Sequence, residues 1–350
     1  MYLDPEVFAL ERARVFGGPA WVGVGGLHQL REPGAYFTAT VAGEPIVVVR
    51  DADGALRAFF NVCPHRGGPL ARGAGKLRGV LQCLYHGWTF GLDGALLRAR
   101  DFGGEADFDP AACGLRPLRV ETWLQSVFVA LDPAAPPLGD YLGDLRGRIA
   151  RYALDDYAYA FSKDFELPVN WKVAWETAAE SYHLPIVHPQ LRFDPRRFRE
   201  EIGRCYSLQV SLPPEADQAK GDGGREPLES LVVNLFPNTF LIVPSRVRWD
   251  RPYFKATYLL PLGVDSTLYR SDFYIPRERL GDDAWLAPLH AAWDEVNRQD
   301  REICEELQRG IRSTAYEPGP LSLRWERALH HFHELLMTRL RGEAAAPKEA

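Results

Sequence analysis

Cysteine is scarce in this sequence, with five residues in a chain of 350. An odd, widely spaced set in so large a chain excludes a disulfide framework. Long apolar runs are missing as well, and none approaches the length needed to span a membrane. Positive charge is not in excess: the formal net charge is −6. A phosphate-binding face would need the opposite balance, so nucleic acid is not expected as a partner. The opening residues, MYLDPEVFALERARVF, carry acids where a secretory signal would carry a basic stretch and an apolar core. No fixed-period repeat is present. These absences leave one or two globular domains in a reducing cytoplasm. What the chain does have is 46% hydrophobic residues, enough for a sizeable core.

Two of the few cysteines fall in a pattern. "NVCPHRGGPL" gives Cys63-x-His65, and "LQCLYHGWTF" gives Cys83-x-x-His86, with seventeen residues between them. Two thiolates and two imidazoles suit a tetrahedral zinc. They also suit a two-iron, two-sulfur cluster with both cysteines on one iron and both histidines on the other. The flanking residues favour the cluster. Pro64, Gly67, Gly68, Pro69 and Gly87 stiffen the loops and let backbone amides approach bridging sulfides, whereas a zinc finger tends to set its histidines on a helix. Around the loops, "EPIVVVRDADGALRAFFNV" and "GWTFGLDGALL" read as strands joined by Asp-Gly turns. Two hairpin tips on a small β unit are therefore expected to present the four ligands.

This pattern, C-x-H … C-x-x-H-G-W, resembles the Rieske iron–sulfur domain. Leu84 stands where that family usually has proline, a departure that touches no ligand. Imidazole ligation implies a raised potential and an electron carrier. A carrier alone needs only ~100 residues, so the rest of the chain requires its own explanation.

The second half contains "VNWKVAWETAAESYHLPIVHPQ". Helical spacing predicts one apolar face of Trp171, Trp175, Ala178 and Tyr182, and another carrying Glu176, Glu180 and His183. Pro185 is expected to end this helix, leaving His188 free to turn back toward His183. Farther on, "LHAAWDEVNRQDREICEELQRGIRS" predicts a long helix with a stripe of Leu289, Trp293, Val296, Ile303, Leu307 and Ile311. Asp300 falls within that stripe, where a carboxylate is costly unless paired or bound to metal. Two histidines and one aspartate form the facial set that leaves ferrous iron open positions for dioxygen.

From about Trp21 to Leu340 the chain resembles the large subunit of Rieske non-heme iron oxygenases. The resemblance rests on Asn170-Trp171-Lys172, Glu180, His183, His188 and the late Asp300. It implies an α+β chain: an all-β Rieske domain at 34–125 and a helix-grip catalytic domain at 126–341, an antiparallel sheet on a long helix. "ESLVVNLFPNTFLIVPSRVRW" and "YFKATYLLPLG" fit that sheet. Residues 1–33 are expected to pack on the catalytic domain and 342–350 to be a disordered tail. The implied cofactors are a [2Fe-2S] cluster on Cys63, His65, Cys83 and His86, and a mononuclear Fe(II) on His183, His188 and Asp300. NAD(P)H serves indirectly, through a separate reductase or ferredoxin. The resemblance further implies a head-to-tail homotrimer in which Glu180 bridges the iron histidine of one chain to a cluster histidine of the next, with the second-loop His86 favoured over His65.

The activity so implied is a terminal mono- or dioxygenase that hydroxylates or oxidatively demethylates an aromatic or amine-type substrate. Glutamate rather than aspartate at 180, with the run "CEELQRGIRS…EPGPLSLRWERALHHFHELL", leans toward the branch acting on choline, carnitine and glycine betaine, whose cations an aromatic cage would suit. Two alternatives are an electron-transfer protein whose large domain only binds a ligand, and a zinc-stapled module without redox function. His330, His331 and His333 are read as core or capping residues, His28 as structural, and Cys113, Cys205 and Cys304 as lacking partners at ligand spacing. Glu176 is read either as orienting a ligand or as half of a buried pair.

Overall fold

Asp51 shows how the first sheet is punctuated. Its carboxylate accepts the amides of Asp53 (3.0 Å) and Ala55 (2.8 Å), and Gly54 supplies the left-handed residue (φ 84°) that closes the turn. The flanking segments form β3 (Glu44–Arg50) and β4 (Leu56–Phe60), paired antiparallel. This computed structural model describes residues 1–102, 104, 107–191, 193–212, 229–243 and 251–343. It divides into two compact units, Phe16–Leu138 and Met1–Val15 with Gly139–Ala350.

The first unit is all β among its longer elements. With β1 (Val22–Gly26), β2 (Ala35–Val41), β5 (Ala74–Lys76), β9 (Pro117–Trp123) and β10 (Ser126–Ala130), the strands above make a seven-stranded sheet ordered β1-β10-β9-β4-β3-β2-β5. A three-stranded sheet holds β6 (Val80–Gln82), β7 (Thr89–Gly91) and β8 (Leu96–Arg98). Val47, Val49, Phe59, Leu81 and Phe90 form a core that includes Cys63 and Cys83.

The boundaries differ from the expectation of 1–33 and 34–125. Residues 16–33 stand with the β unit because β1 is buried throughout and pairs with β10. β10 itself lies beyond 125. Of the loops, the second is a true hairpin tip between β6 and β7. The first is not, because β4 pairs with β3 and β9 while the following β5 pairs with β2.

The second unit begins with α1 (Pro5–Glu11), capped by Asp4. Its Glu11 is fully buried and receives Lys172 Nζ at 2.5 Å and Trp171 Nε1 at 2.8 Å. Two short helices, α2 (Leu138–Leu142) and α3 (Leu145–Ala150), precede a seven-stranded antiparallel sheet. That sheet contains β11 (Tyr157–Leu167), β12 (Phe198–Ile202), β13 (Tyr206–Ser211), β14 (Ser230–Leu235), β15 (Thr239–Val243), β16 (Phe254–Gly263) and β17 (Ser266–Pro276), ordered β11-β17-β16-β15-β14-β13-β12. The helices α4 (Trp171–Ala179), α5 (Leu184–Val187), α6 (Asp283–Ile311) and α7 (Arg327–Arg341) complete it. Trp175 stacks on Phe332 of α7 at 3.8 Å between ring centroids.

Two helix expectations are corrected. The first helix does not run to Pro185. It ends at Ala179, and Glu180 is extended (φ −130°, ψ 162°). Tyr182, placed on the apolar face by spacing, is exposed. On α6 the buried stripe passes from Leu289 and Val296 to Asn297, Cys304 and Gln308, while Leu307 is 44% exposed. The expected stripe repeats every seven residues, a period of 3.5 that drifts by ~20° per repeat around a helix of 3.6 residues per turn, so the buried line moves off Ile303 and Leu307. Gly342, left-handed (φ 75°), caps α7. Of the expected tail, residues 344–350 lie outside the described residues, as do 244–249 of the expected strand region.

Candidate functional site

The first ligand loop is built by its own backbone. Cys63 N–H donates to Gly68 O (2.8 Å), and Gly67 N–H returns to Cys63 O (2.9 Å). Asn61 accepts the amides of Leu70 (2.8 Å) and Ala71 (3.1 Å), which ties the loop's far side to its start. In the second loop Cys83 N–H donates to Trp88 O (2.8 Å) and Gly87 N–H to Cys83 O (3.1 Å). Leu84 N–H reaches across to Pro69 O at 2.9 Å and joins the two loops. A Cβ on Gly68 would sit 2.9 Å from Cys83 Sγ, so only glycine allows this approach.

The four side chains converge. The rings of His65 and His86 lie 4.8 Å apart, and His65 stacks on Trp88 at 4.8 Å and 5°. Both cysteines are buried. Burial pushes the Cys63 thiol up to about 11, opposed by the backbone amides of His65 and Arg66, which donate to its sulfur. The His86 imidazolium is disfavoured by desolvation and then by the neighbouring His65 and Arg66. His65 Nδ1 is buried with no hydrogen-bond partner. A buried lone pair left unused costs ~1–3 kcal/mol, and a metal on Nδ1 removes that penalty. The residues therefore fit an iron–sulfur cluster with sulfur ligands inside and imidazoles outside.

The second site begins where α4 ends. Glu180 turns its carboxylate back on the chain: Oε2 accepts the amides of Tyr182 and His183, and Oε1 lies 2.6 Å from His183 Nδ1. These bonds satisfy the next turn's amides and redirect the backbone before Pro185 is reached. Pro185 then sits in the first turn of the one-turn helix α5, where its missing N–H does no harm. His183 and His188 flank α5 at its two ends, with ring centroids 5.2 Å apart. Asp300 approaches from α6, its Oδ1 2.8 Å from His188 Nε2 and 3.9 Å from His183 Nε2. One donor atom from each of the three lies within 4.8 Å of the others.

The imidazoles are oriented from behind. Gln299 Oε1 lies 2.6 Å from His188 Nδ1, and Gln299 Nε2 donates to Glu295 (2.9 Å). Glu180 and the Gln299 oxygen are acceptors, so in the neutral imidazoles both Nδ1 atoms donate, which leaves each Nε2 lone pair for a metal beside Asp300. Burial works against a charged His188, but Asp300 and then Gln299 hold its pKa above the usual value. The donor set and its supports fit a mononuclear divalent metal. Gln299 was missed by sequence reading because it lies beside, not on, the apolar stripe.

The three side chains face a cavity of about 220 Å³. Leu184, Leu231, Phe240, Ile242, Leu289 and Val296 supply much of its apolar wall. Tyr253, Tyr269 and Trp293 add aromatic surface, and the buried Lys255 of β16 also lines this space. Burial lowers the Lys255 pKa to about 7, Asp300 opposing the shift and Lys163 adding to it. A lone lysine within the otherwise apolar "YFKATYLLPLG" was the available signal for it.

Glu176 does not join either site. It accepts from Tyr2 OH (2.6 Å) and lies 2.9 Å from His333 Nε2, the buried-pair alternative. His331 is buried and His330 exposed, both near Glu334. Cys304 is buried against Thr177, Cys205 against the Tyr141 carbonyl, and Cys113 is half-buried. Among the described residues, no helix is long and apolar enough to cross a membrane.

Comparison with known proteins matches residues 20–105 to the Rieske [2Fe-2S] domain and residues 154–342 to the catalytic domain of the ring hydroxylating alpha subunit. The chloroplastic choline monooxygenase of Spinacia oleracea is 31% identical over 343 residues, covering 95% of this chain and 75% of that protein. The carnitine monooxygenase oxygenase subunit of Acinetobacter pittii is 32% identical over 321 residues, covering 90% and 85%. A solved quaternary ammonium Rieske monooxygenase, described in terms of carnitine oxidation and inter-subunit electron transfer, superposes with a TM-score of 0.84 at 30% identity over 97% of this chain and 93% of its own.

Proposed function

This chain belongs to the ring hydroxylating alpha-subunit family of Rieske oxygenases, and on that premise we propose that it oxidises a quaternary or tertiary ammonium compound at a carbon bonded to nitrogen. It is an oxidoreductase of the Rieske type, a terminal oxygenase component that works on small substrates with a [2Fe-2S] cluster and a mononuclear iron. The observation that carries the proposal is the convergence of two imidazoles and a carboxylate on a largely apolar cavity. The relatives named for choline and carnitine set the substrate class.

In this reading Cys63, Cys83, His65 and His86 hold the cluster, and His183, His188 and Asp300 hold the iron. When bound, the cluster relays single electrons and the iron activates dioxygen. The chain's own residues do the rest. Glu180 and Gln299 fix the imidazole tautomers. The apolar wall excludes water from the reacting carbon. Hydroxylation of an N-methyl or N-methylene carbon gives a carbinol on the ammonium nitrogen, which loses its hydroxyl proton as the C–N bond breaks to give an aldehyde and an amine. Dioxygen, two electrons and two protons are consumed and one water is released.

The electron path runs between subunits, with Glu180 as the bridge from His183 to His86 of a neighbouring copy in a head-to-tail homotrimer. Exposed apolar side chains beside both ends support this: Tyr182 and Ile186 near His183, and Leu84 and Tyr85 near His86. A reductase or ferredoxin supplies the electrons, drawing on NAD(P)H in the cytoplasm.

Anaerobic iron and sulfide analysis, with EPR of the reduced protein, tests the assignment. The expected result is roughly three irons and two sulfides per chain, a Rieske signal, and amine-dependent dioxygen uptake with release of an aldehyde. About two irons and two sulfides, unchanged after ferrous iron is added back, would leave only an electron carrier.

A further inference from the structure

The cavity holds a charged group that the metal chemistry does not use. Lys255 is fully buried on β16, between Phe254 and Ala256. Its register partners are Phe273 on β17 and Ile242 on β15, and it shares the cavity wall with Ile242. Its Nζ donates to Tyr269 OH at 2.9 Å and lies 3.7 Å from the centroid of the Trp293 ring. Among the described residues no carboxylate lies within ion-pair distance of it. An ammonium carries three donors, and Tyr269 takes one. A buried cation without a counter-ion is expensive, and methionine would fill the same volume without that penalty. Such a group, opening onto a ligand cavity, is built to meet an anion.

We propose that Lys255 is the specificity-determining residue of this site and that it pairs with a carboxylate on the substrate, so that the chain selects acid-bearing amines over amino alcohols and esters. The inference rests on the amine-oxidation reading and narrows it. The faces of Trp293, Tyr269 and Phe273 already surround the Lys255 ammonium, with centroids at 3.7, 5.2 and 5.7 Å. A substrate ammonium entering that cage would meet a like charge. Asp300 and Glu180 line the same cavity, and a divalent ion on the ligand set would balance their two negative charges, so Lys255 is the charge that tells one end of a substrate from the other. A zwitterion is therefore held with its carboxylate toward Lys255 and its ammonium end toward the metal-binding set. Burial has already brought the lysine close to neutral pH in its titration, and a bound carboxylate would hold it protonated.

The test is equilibrium calorimetry on the anaerobic holoenzyme, which reads binding without turnover. Titrants are glycine betaine, its methyl ester and choline, with benzoate and methyl benzoate as a second acid–ester pair. The wild type should bind the betaine at least ~30-fold more tightly than the ester or choline. In Lys255→Met, and in Lys255→Gln should the first variant not fold, the ratio should shrink to about threefold or less. No acid preference in the wild type, or a preference that survives both substitutions, overturns the proposal. If no amine binds but benzoate outbinds its ester in a Lys255-dependent way, Lys255 keeps its role and the amine reading falls.

Discussion

The two ligand sets are built on different principles. The four side chains proposed to hold the cluster hang from turns whose conformation is fixed mainly by main-chain bonds and glycines: Cys63 to Gly68, Gly87 to Cys83, Leu84 to Pro69. The three around Asp300 depend on other side chains, Glu180 behind His183 and Gln299 behind His188. A site held mainly by backbone concentrates its sensitivity in its ligands, its glycines and the one side chain, Asn61, that ties the first loop. A site held by side chains spreads its sensitivity outward to residues that touch no metal.

Substitutions can separate the two cases. The largest effect is expected for Asp300→Ala: mononuclear iron and turnover are lost, while visible absorption and EPR of the cluster persist. Gly68→Ala should do the reverse, because the added methyl meets Cys83 Sγ and Tyr85 Cβ at 2.9 Å. Cluster sulfide should fall while ferrous binding at the other site survives in direct metal titration. Glu180→Gln should retain both metals, yet slow discharge of the reduced cluster by substrate and dioxygen about 10- to 100-fold. Single-turnover stopped flow checks this, and discharge at the wild-type rate would remove Glu180 from the path. Gln299→Leu should weaken ferrous binding by about tenfold and leave the cluster untouched.

The last effect is read as a slope rather than a loss, in the pH dependence of stability. The Lys255 pKa falls from 10.5 to about 7 on folding. Between those values the unfolded chain binds the extra proton, so this group makes stability rise with pH, by at most ~1.4 kcal/mol per unit. The contribution is flat below about pH 7, where both states are protonated. Comparing melting temperatures of wild type and Lys255→Met across pH 7 to 10 should show this slope in the former alone.

The same contrast explains what could be read in advance. The Cys–His spacing, the Asp-Gly turns and the strands beside them are contiguous features, and the loops formed where those signals stood. Asp300 was legible because a carboxylate interrupted an apolar period. The helix before His183 was misjudged at its end. Pro185 was the visible breaker, but the Glu180 carboxylate captured the next amides first, a local side-chain-to-backbone bond that competes with the helix and that apolar spacing does not register. Lys255 escaped notice because in sequence a lysine is taken for solvent-facing, and only the fold shows it inside.

The partition of the chain has a consequence for its biosynthesis. The unit that contains Asp300 is discontinuous, since Met1–Val15 belongs with Gly139–Ala350 and the whole β unit is inserted between them. Glu11 leaves the ribosome long before its partner Lys172 and must wait while an entire neighbouring unit is made. Until then the helix Pro5–Glu11 has no place to dock. A chain starting at residue 16 would complete its β unit normally, yet leave an ammonium stranded in the interior of the other. The second unit is thus completed by a segment made before the first.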